Sequence, residues 1–154
     1  MDGPTGPVTL PPSQPSLDAL QLDAAAQTLI YGRSTRAYPR EACGFLIGLI
    51  QNGTVHVIEA FPCRNLATEP DRFEVHPEDF LAAETTARDA DRTVVGVWHS
   101  HPNQPAVPSA RDLEEAYDQW VQLICHVNNE GECSLRCWRT TRGQANEQAI
   151  CLTD

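Results

Sequence analysis

The sequence predicts a mixed α/β domain with helices packed on one sheet, and three observations carry that reading. Strand-length apolar runs interleave with segments of helical spacing along the chain, the pattern of layered α/β architectures. Asn52-Gly53, set between two apolar runs, is a strong hairpin-turn signal, so part of the sheet is antiparallel. A length of 154 residues allows one domain with a real core and is too short for two ordinary domains plus a linker.

Taken in order, residues 1–16 (MDGPTGPVTLPPSQPS) are dense in proline and lack a basic segment followed by an apolar stretch. They predict a flexible tail with no secretory signal, followed by a single domain over 17–154. Leu20 and Leu22 read as a short strand. Residues 24–38, AAAQTLIYGRSTRAY, have the alanine content and apolar spacing of a helix, stopped by Pro39. EACGFLIGLI (41–50) is a continuous apolar run bounded by QNGT, and VHVIEAFPC (55–63) is its hairpin partner. RNLATEPDR (64–72) is polar and rich in breakers, hence a surface loop. FEVHP (73–77) reads as a short extended piece, and PEDFLAAETTARDA (77–90) opens with proline and early acids as helix N-termini do. TVVGVWHSH (93–101) is apolar enough for a strand buried on both faces, and PNQPAVP cannot continue it. Ser109 then precedes a helix over 110–120. VQLICHV (121–127), a turn at NNEG and CSLRCW (133–138) form a terminal hairpin.

Composition narrows the function. The chain is 41% hydrophobic and 21% charged, as soluble globular proteins are, and its longest apolar stretch, FLIGLI at 45–50, is far below membrane-spanning length. A formal net charge of −10 disfavours phosphate backbones and anionic lipid, so neither nucleic acid nor a membrane is an expected partner. All 11 basic residues are arginine, which GC-rich codon usage explains; a protein working near lysine-directed conjugation would also gain by offering no amines. Six cysteines without an export signal are expected to stay reduced, which places the protein in the cytoplasm. Cys133 and Cys137, four apart on a strand, would lie roughly 13 Å apart, beyond the ~7 Å Cα limit of a disulfide.

The chemistry gathers after residue 97, in VWHSHPNQPAVPSARD. On a strand, residues two apart share a face, so His99 and His101 present both imidazoles to one point while Ser100 turns away. Pro102 and Pro105 halt the strand and expose the pair at its end. Asp112, in the first turn of the next helix, is placed to fold back as a third ligand. Two histidines and a carboxylate leave the fourth tetrahedral position of Zn²⁺ to water, as at catalytic zinc sites. Bland readings stand beside this one: Ser109 and Asp112 match an ordinary capping box, and a lone His-x-His on a strand is often structural. Rival motifs fit less well. An amidohydrolase barrel needs about 250 residues, and a zinc deaminase needs the Pro-Cys-x-x-Cys that does not accompany HPE at 76–78.

HSHPNQPAVPSARD has the spacing His-x-His, seven residues, Ser, two residues, Asp, and with the upstream EACGFLIG at 41–48 it resembles the JAMM motif of the MPN/JAB metallopeptidases. The resemblance runs from about Leu17 to Trp138, and RFEVHPEDF resembles the small bacterial single-domain members. It implies a three-layer α-β-α fold like that of cytidine deaminases, with a mixed sheet flanked by helices. It further implies that His99, His101 and Asp112 bind one Zn²⁺, that Glu41 is the general acid/base and that Ser109 assists the tetrahedral intermediate. Zinc lowers the pKa of bound water to about 7, and a carboxylate within reach can carry that proton to the leaving amine. Family members cut peptide or isopeptide bonds after the tail of ubiquitin-like proteins, and the small bacterial ones act on sulfur carrier proteins beyond a terminal Gly-Gly. From position and resemblance, Phe73, Glu74 and Val75 are expected to form part of the groove for such a tail. Two other functions stay open: a zinc peptidase of small or cell-wall peptides, and a noncatalytic binding module. Cys43 shares a strand face with Glu41 and is expected to be a buried strand residue rather than a nucleophile.

Overall fold

The computed structural model describes residues 19–154, so the tail expected over 1–16 and the domain start at Leu17 lie outside the described residues. Strand β1 (Leu20–Asp23) leads directly into helix α1 (Ala24–Ala37), because the Asp23 carboxylate accepts the Ala25 N–H at 3.2 Å and caps the first turn. At the other end the Tyr38 N–H still reaches Ser34 O, and Pro39 prevents continuation. Strands β2 (Cys43–Gln51) and β3 (Thr54–Cys63) form the expected antiparallel hairpin. Asn52 and Gly53 turn it with φ of 53° and 81°, the left-handed conformations that favour an Asn-Gly pair.

No regular element lies between Cys63 and Pro77. Helix α2 (Pro77–Asp89) begins on Pro77, and His76 is its N-cap, its Nδ1 accepting the Glu78 N–H at 3.0 Å. Strand β4 (Thr93–Pro102) follows, then helix α3 (Ala110–Glu114), strands β5 (Val121–Val127) and β6 (Cys133–Thr141), and two further strands, β7 (Gln144–Gln148) and β8 (Ile150–Thr153).

Two sequence expectations differ from the structure. The helix expected over 110–120 is one short turn of 5 residues. Beyond it the chain leaves the helix: the Asp118 carboxylate takes the Arg142 N–H at 2.8 Å, and Gln119, with φ of 71°, turns the chain into β5. The β5–β6 hairpin is not terminal, since β6 runs on to Thr141 and turns through Arg142 and Gly143 into β7. Residues 73–76, read as a short extended piece, pair into no strand; His76 is extended, with φ −69° and ψ 138°, and Glu74 is tied to the 65–66 segment, its N–H donating to Asn65 Oδ1 and its O accepting the Leu66 N–H.

The eight strands among the described residues form one sheet in the order β7-β6-β5-β4-β2-β3-β1-β8, with β4–β5, β1–β3 and β1–β8 parallel and the rest antiparallel. Strands β7 and β8 sit at opposite ends of that order yet only Ala149 separates them, so the sheet must curl until its ends meet. Ala149 O accepts the Leu20 N–H at 2.8 Å at that junction. Helix α1 packs across β1 and β3 through β6, and its Ala26 and Ile30 join Leu46, Trp98 and Leu123 in the main core. Helix α2 packs on β2 and β4 from the other face, where Phe80 meets Phe45 at 5.3 Å between ring centroids. This is the expected mixed α/β fold of three layers. A Cβ at Gly44 would collide with the Phe61 carbonyl and the Trp98 indole, so glycine lets Trp98 lie fully buried and turns its neighbour His99 to the α2 face. All six cysteines are free thiols. No helix among the described residues is long and apolar enough to cross a membrane.

Candidate active site

His99, Ser100 and His101 occupy the C-terminal end of β4, between β2 and β5. Alternation sends both imidazoles to one face, with ring centroids 5.0 Å apart. Each ring is held at one nitrogen and presents the other. His99 Nε2 lies 3.1 Å from Gln122 Oε1, a contact in which the ring N–H donates to the amide oxygen. Its Nδ1 is then a lone-pair site, fully buried and without a hydrogen-bond partner, 3.6 Å from Glu41 Oε1. His101 Nδ1 donates to Pro105 O at 2.9 Å, which leaves its Nε2 facing Asp112 Oδ2 at 3.2 Å. Neutral oxygens fixing the far nitrogen of each ring are the usual preparation of a ligating histidine.

Asp112 does two things at once. The capping box is formed: Ser109 Oγ accepts the Asp112 N–H at 3.1 Å and Asp112 Oδ2 accepts the Ser109 N–H at 2.9 Å. The same carboxylate also faces both histidines, its Oδ1 3.7 Å from His99 Nε2. Burial raises its pKa, but the hydrogen bond to His101, the charge on His99 and the Ser109 N–H outweigh burial and hold it down to about 2. For His99 burial works against the charged form, yet the Glu41 carboxylate beside Nδ1 and the charge of Asp112 push its pKa above the ordinary value.

Glu41 stands just before β2 and is 6% exposed. Its neighbours tie it down. Ser100 grips the next residue twice, accepting the Ala42 N–H on Oγ at 2.8 Å and donating its own N–H to Ala42 O at 3.0 Å. Arg40 reaches the loop carbonyls of Ala67 and Thr68. Glu41, His99 and His101 offer donor atoms that all lie within 4.8 Å of one another, and all three are buried. The structure therefore gathers every sequence-predicted ligand and the predicted base in one cluster. Asp112 lies against both imidazoles but outside that closest triple. The nitrogen and carboxylate donors, together with an orphaned lone-pair nitrogen in the middle, fit a divalent cation.

Phe73 stacks on His99, and with Glu74, Val75, Phe80, Tyr117 and Trp120 it lines a cavity of about 440 Å³ that reaches Asp112 and Gln122. A second cavity, of about 450 Å³, approaches from the other side along Glu41, His101, Ser109, Asp71 and the prolines of the 102–108 loop. Cys43 is buried, and burial together with Cys63 and Glu41 pushes its thiol up to about 12, so it carries no thiolate at neutral pH. Of the other histidines, His76 caps α2 and His126 Nδ1 donates to Gln104 O at 2.7 Å, both away from the cluster.

Sequence reasoning missed four participants: Gln122, Ser100 as a clamp, the Pro105 carbonyl, and Asn65. Gln122 carried a readable signal, a polar residue inside the apolar run VQLICHV, and it is 3% exposed. Asn65, in a breaker-rich loop, carried none.

Residues 23–141 match the family of prokaryotic homologs of the JAB domain. A desampylase of Haloferax volcanii is 37% identical over 124 residues, covering 78% of this chain and 86% of that protein. The tail tip assembly protein K of Escherichia phage N15 is 36% identical over 80% of this chain, which spans only 42% of the phage protein's length. The solution structure of a Desulfitobacterium hafniense protein superposes with a TM-score of 0.79 at 27% identity, covering 88% of this chain and 93% of that one. With the family match spanning most of its length, the chain belongs to the prokaryotic homologs of the JAB domain.

Proposed function

We propose that the protein is a cytoplasmic zinc peptidase that hydrolyses the peptide or isopeptide bond following the Gly-Gly tail of a ubiquitin-like or sulfur carrier protein. The observation that carries this reading is the convergence of Glu41, His99, His101 and Asp112, from three separate stretches of sequence, on one buried point between two cavities. His99, His101 and Asp112 would hold the ion. When bound, zinc supplies Lewis acidity and a water pKa near 7. Asp112 is chosen over Glu41 as the anionic ligand because a carboxylate held down to about 2 stays charged at any working pH, and because a ligated Glu41 could not carry protons.

Glu41 Oε takes the proton of the attacking water and returns it to the leaving nitrogen, a shuttle that the Ser100 clamp on the adjacent Ala42 keeps in place. Because Glu41 lines the cavity along 102–108, the leaving amine departs on that side. Ser109 Oγ already accepts the Asp112 N–H, so its own hydroxyl proton is free for the oxyanion that develops on the scissile carbonyl. Phe73, Glu74 and Val75 form one wall for the extended tail. The desampylase name of the Haloferax relative supports the substrate class.

The test is to incubate metal-replete protein, with and without chelator, with sulfur carriers extended past Gly-Gly, and to read the products by mass spectrometry. Cleavage after Gly-Gly that disappears with chelator is expected. Chelator-resistant cleavage, or cleavage of unrelated small peptides in preference to the tails, would overturn the reading.

A further inference from the structure

Asn65 joins the two halves of the site through one side chain. Its Nδ2 donates to Glu41 O at 3.0 Å and to Arg72 O at 3.0 Å, while its Oδ1 accepts the Ala67 N–H at 2.9 Å and the Glu74 N–H at 3.0 Å. An asparagine amide has two donors and an acceptor oxygen with two lone pairs, so every bond it can form is formed. An ordinary Asx turn explains only the bond to Ala67 N, two residues on. The other three reach the segment of Glu41 and both neighbours of Phe73, the residue stacked on His99. The Leu66 N–H adds a backbone bond to Glu74 O at 2.9 Å, which binds the same two stretches in register.

This arrangement matters because neither stretch belongs to the sheet. Residues 40–42 precede the first pairing of β2 and are tied to β4 at Ala42, through Ser100, and 72–75 precede α2, so the sheet does not hold the two stretches against each other. We propose that Asn65 is a positioning residue that ties the proton-carrying Glu41 to the Phe73 wall, so that the groove and the proton shuttle are set by one amide. The proposal rests on the reading of Glu41 as the proton carrier. The two chemical ends of the amide are not equivalent: only the Nδ2 end reaches Glu41 and hence turnover, while the wall for the tail is held by both, at Arg72 through Nδ2 and at Glu74 through Oδ1.

The isosteric Asn65→Asp change separates the ends. It keeps an oxygen for Ala67 N and Glu74 N, and puts a second oxygen against the Glu41 and Arg72 carbonyls where donors stood. Asn65→Ala removes both ends. In N65D, kcat is expected to fall on the order of 10- to 100-fold, the scale of a misplaced catalytic group, with metal stoichiometry unchanged and a smaller rise in KM than in N65A, because Glu74 keeps its acceptor while Arg72 loses its donor. In N65A both kcat falls and KM rises. Amide exchange is read in the same proteins: residues 40–42 should loosen in both variants, and 73–75 more in N65A than in N65D. N65D with wild-type kcat, or the same loss in KM and kcat for both variants, overturns the proposal. So does wild-type exchange protection at 40–42 in both variants. A wild-type protein that cleaves no tail would instead remove the proposed reaction, and the exchange readout would still decide whether Asn65 sets the two segments.

Discussion

Phe73 lies nearly flat on His99, with ring centroids 4.6 Å apart and planes inclined by 26°. His99 is completely buried, and Phe73 forms its cover from a loop outside the sheet. The first prediction follows from that cover. Phe73→Ala removes one wall of the aromatic cavity and a ring contact worth about 0.5–1.5 kcal/mol. KM for a tail substrate should rise by roughly 2- to 10-fold on that scale, with metal content unchanged. Steady-state kinetics on a tail substrate checks this, and wild-type rate and affinity in the variant would remove Phe73 from the groove.

The two carboxylates of the cluster should separate by what their loss does to metal. Glu41→Gln keeps the shape of the side chain and removes a proton carrier, so turnover should drop by about 10²–10⁴ with zinc retained. Asp112→Asn removes an anion that touches both histidines, so occupancy should fall together with activity. Metal analysis of both purified variants decides it. Full occupancy in Asp112→Asn with loss in Glu41→Gln would exchange the two roles, as the closeness of Glu41 to the histidine pair would then require.

Ser109 holds a cap and, in the proposed mechanism, an oxyanion donor, and substitutions can divide them. Ser109→Asp keeps a good N-cap acceptor for the Asp112 N–H but has no hydroxyl proton at neutral pH. Stability should stay near wild type while kcat falls on the order of 100-fold, the usual cost of one oxyanion donor. Ser109→Ala should lose both, with about 1 kcal/mol of stability going with the cap. Ser109→Thr should retain both. Thermal melts beside kcat values for the three variants check the split; an active Ser109→Asp would leave Ser109 as a cap alone.

Much of this site could be read in the sequence because its ligands come from regular local geometry. His99 and His101 converge because strand alternation is a two-residue period, and Asp112 follows because a capping box fixes where N3 points. The strands with apolar runs and the Asn52-Gly53 turn were legible for the same reason. Strand β7, QANEQ, was not, since it is a largely exposed edge strand with no apolar alternation, and β8 pairs with β1 from the opposite end of the chain. The helix over 110–120 misled because Leu113, Ala116, Tyr117 and Trp120 have helical spacing. Tyr117 and Trp120 instead pack at 4.6 Å across a turn that faces the cavity. Asn65 and Gln122 act through contacts between segments far apart in sequence, which no local pattern encodes.

The last prediction concerns protons and metal at the same nitrogen. In the metal-free protein the pKa of His99 is raised above its ordinary 6.5: burial alone would lower it, but Glu41 and Asp112 favour the charged ring more strongly. A raised folded-state pKa contributes stability that is fully present below 6.5 and is lost as pH rises through the folded value. Asp112 has the opposite sign. Its pKa falls from 3.8 to about 2, so its contribution is present above 3.8 and is lost only as pH falls through about 2. Chelated protein should therefore melt at a higher temperature near about pH 5.5 than near about pH 8.5, and His99→Gln should flatten that difference. Added Zn²⁺ must displace the proton from His99, so the stabilisation it gives should grow with pH over the same interval. A chelated wild type whose melting temperature is the same at both pH values would mean that the two carboxylates do not raise the pKa of His99 in the folded protein.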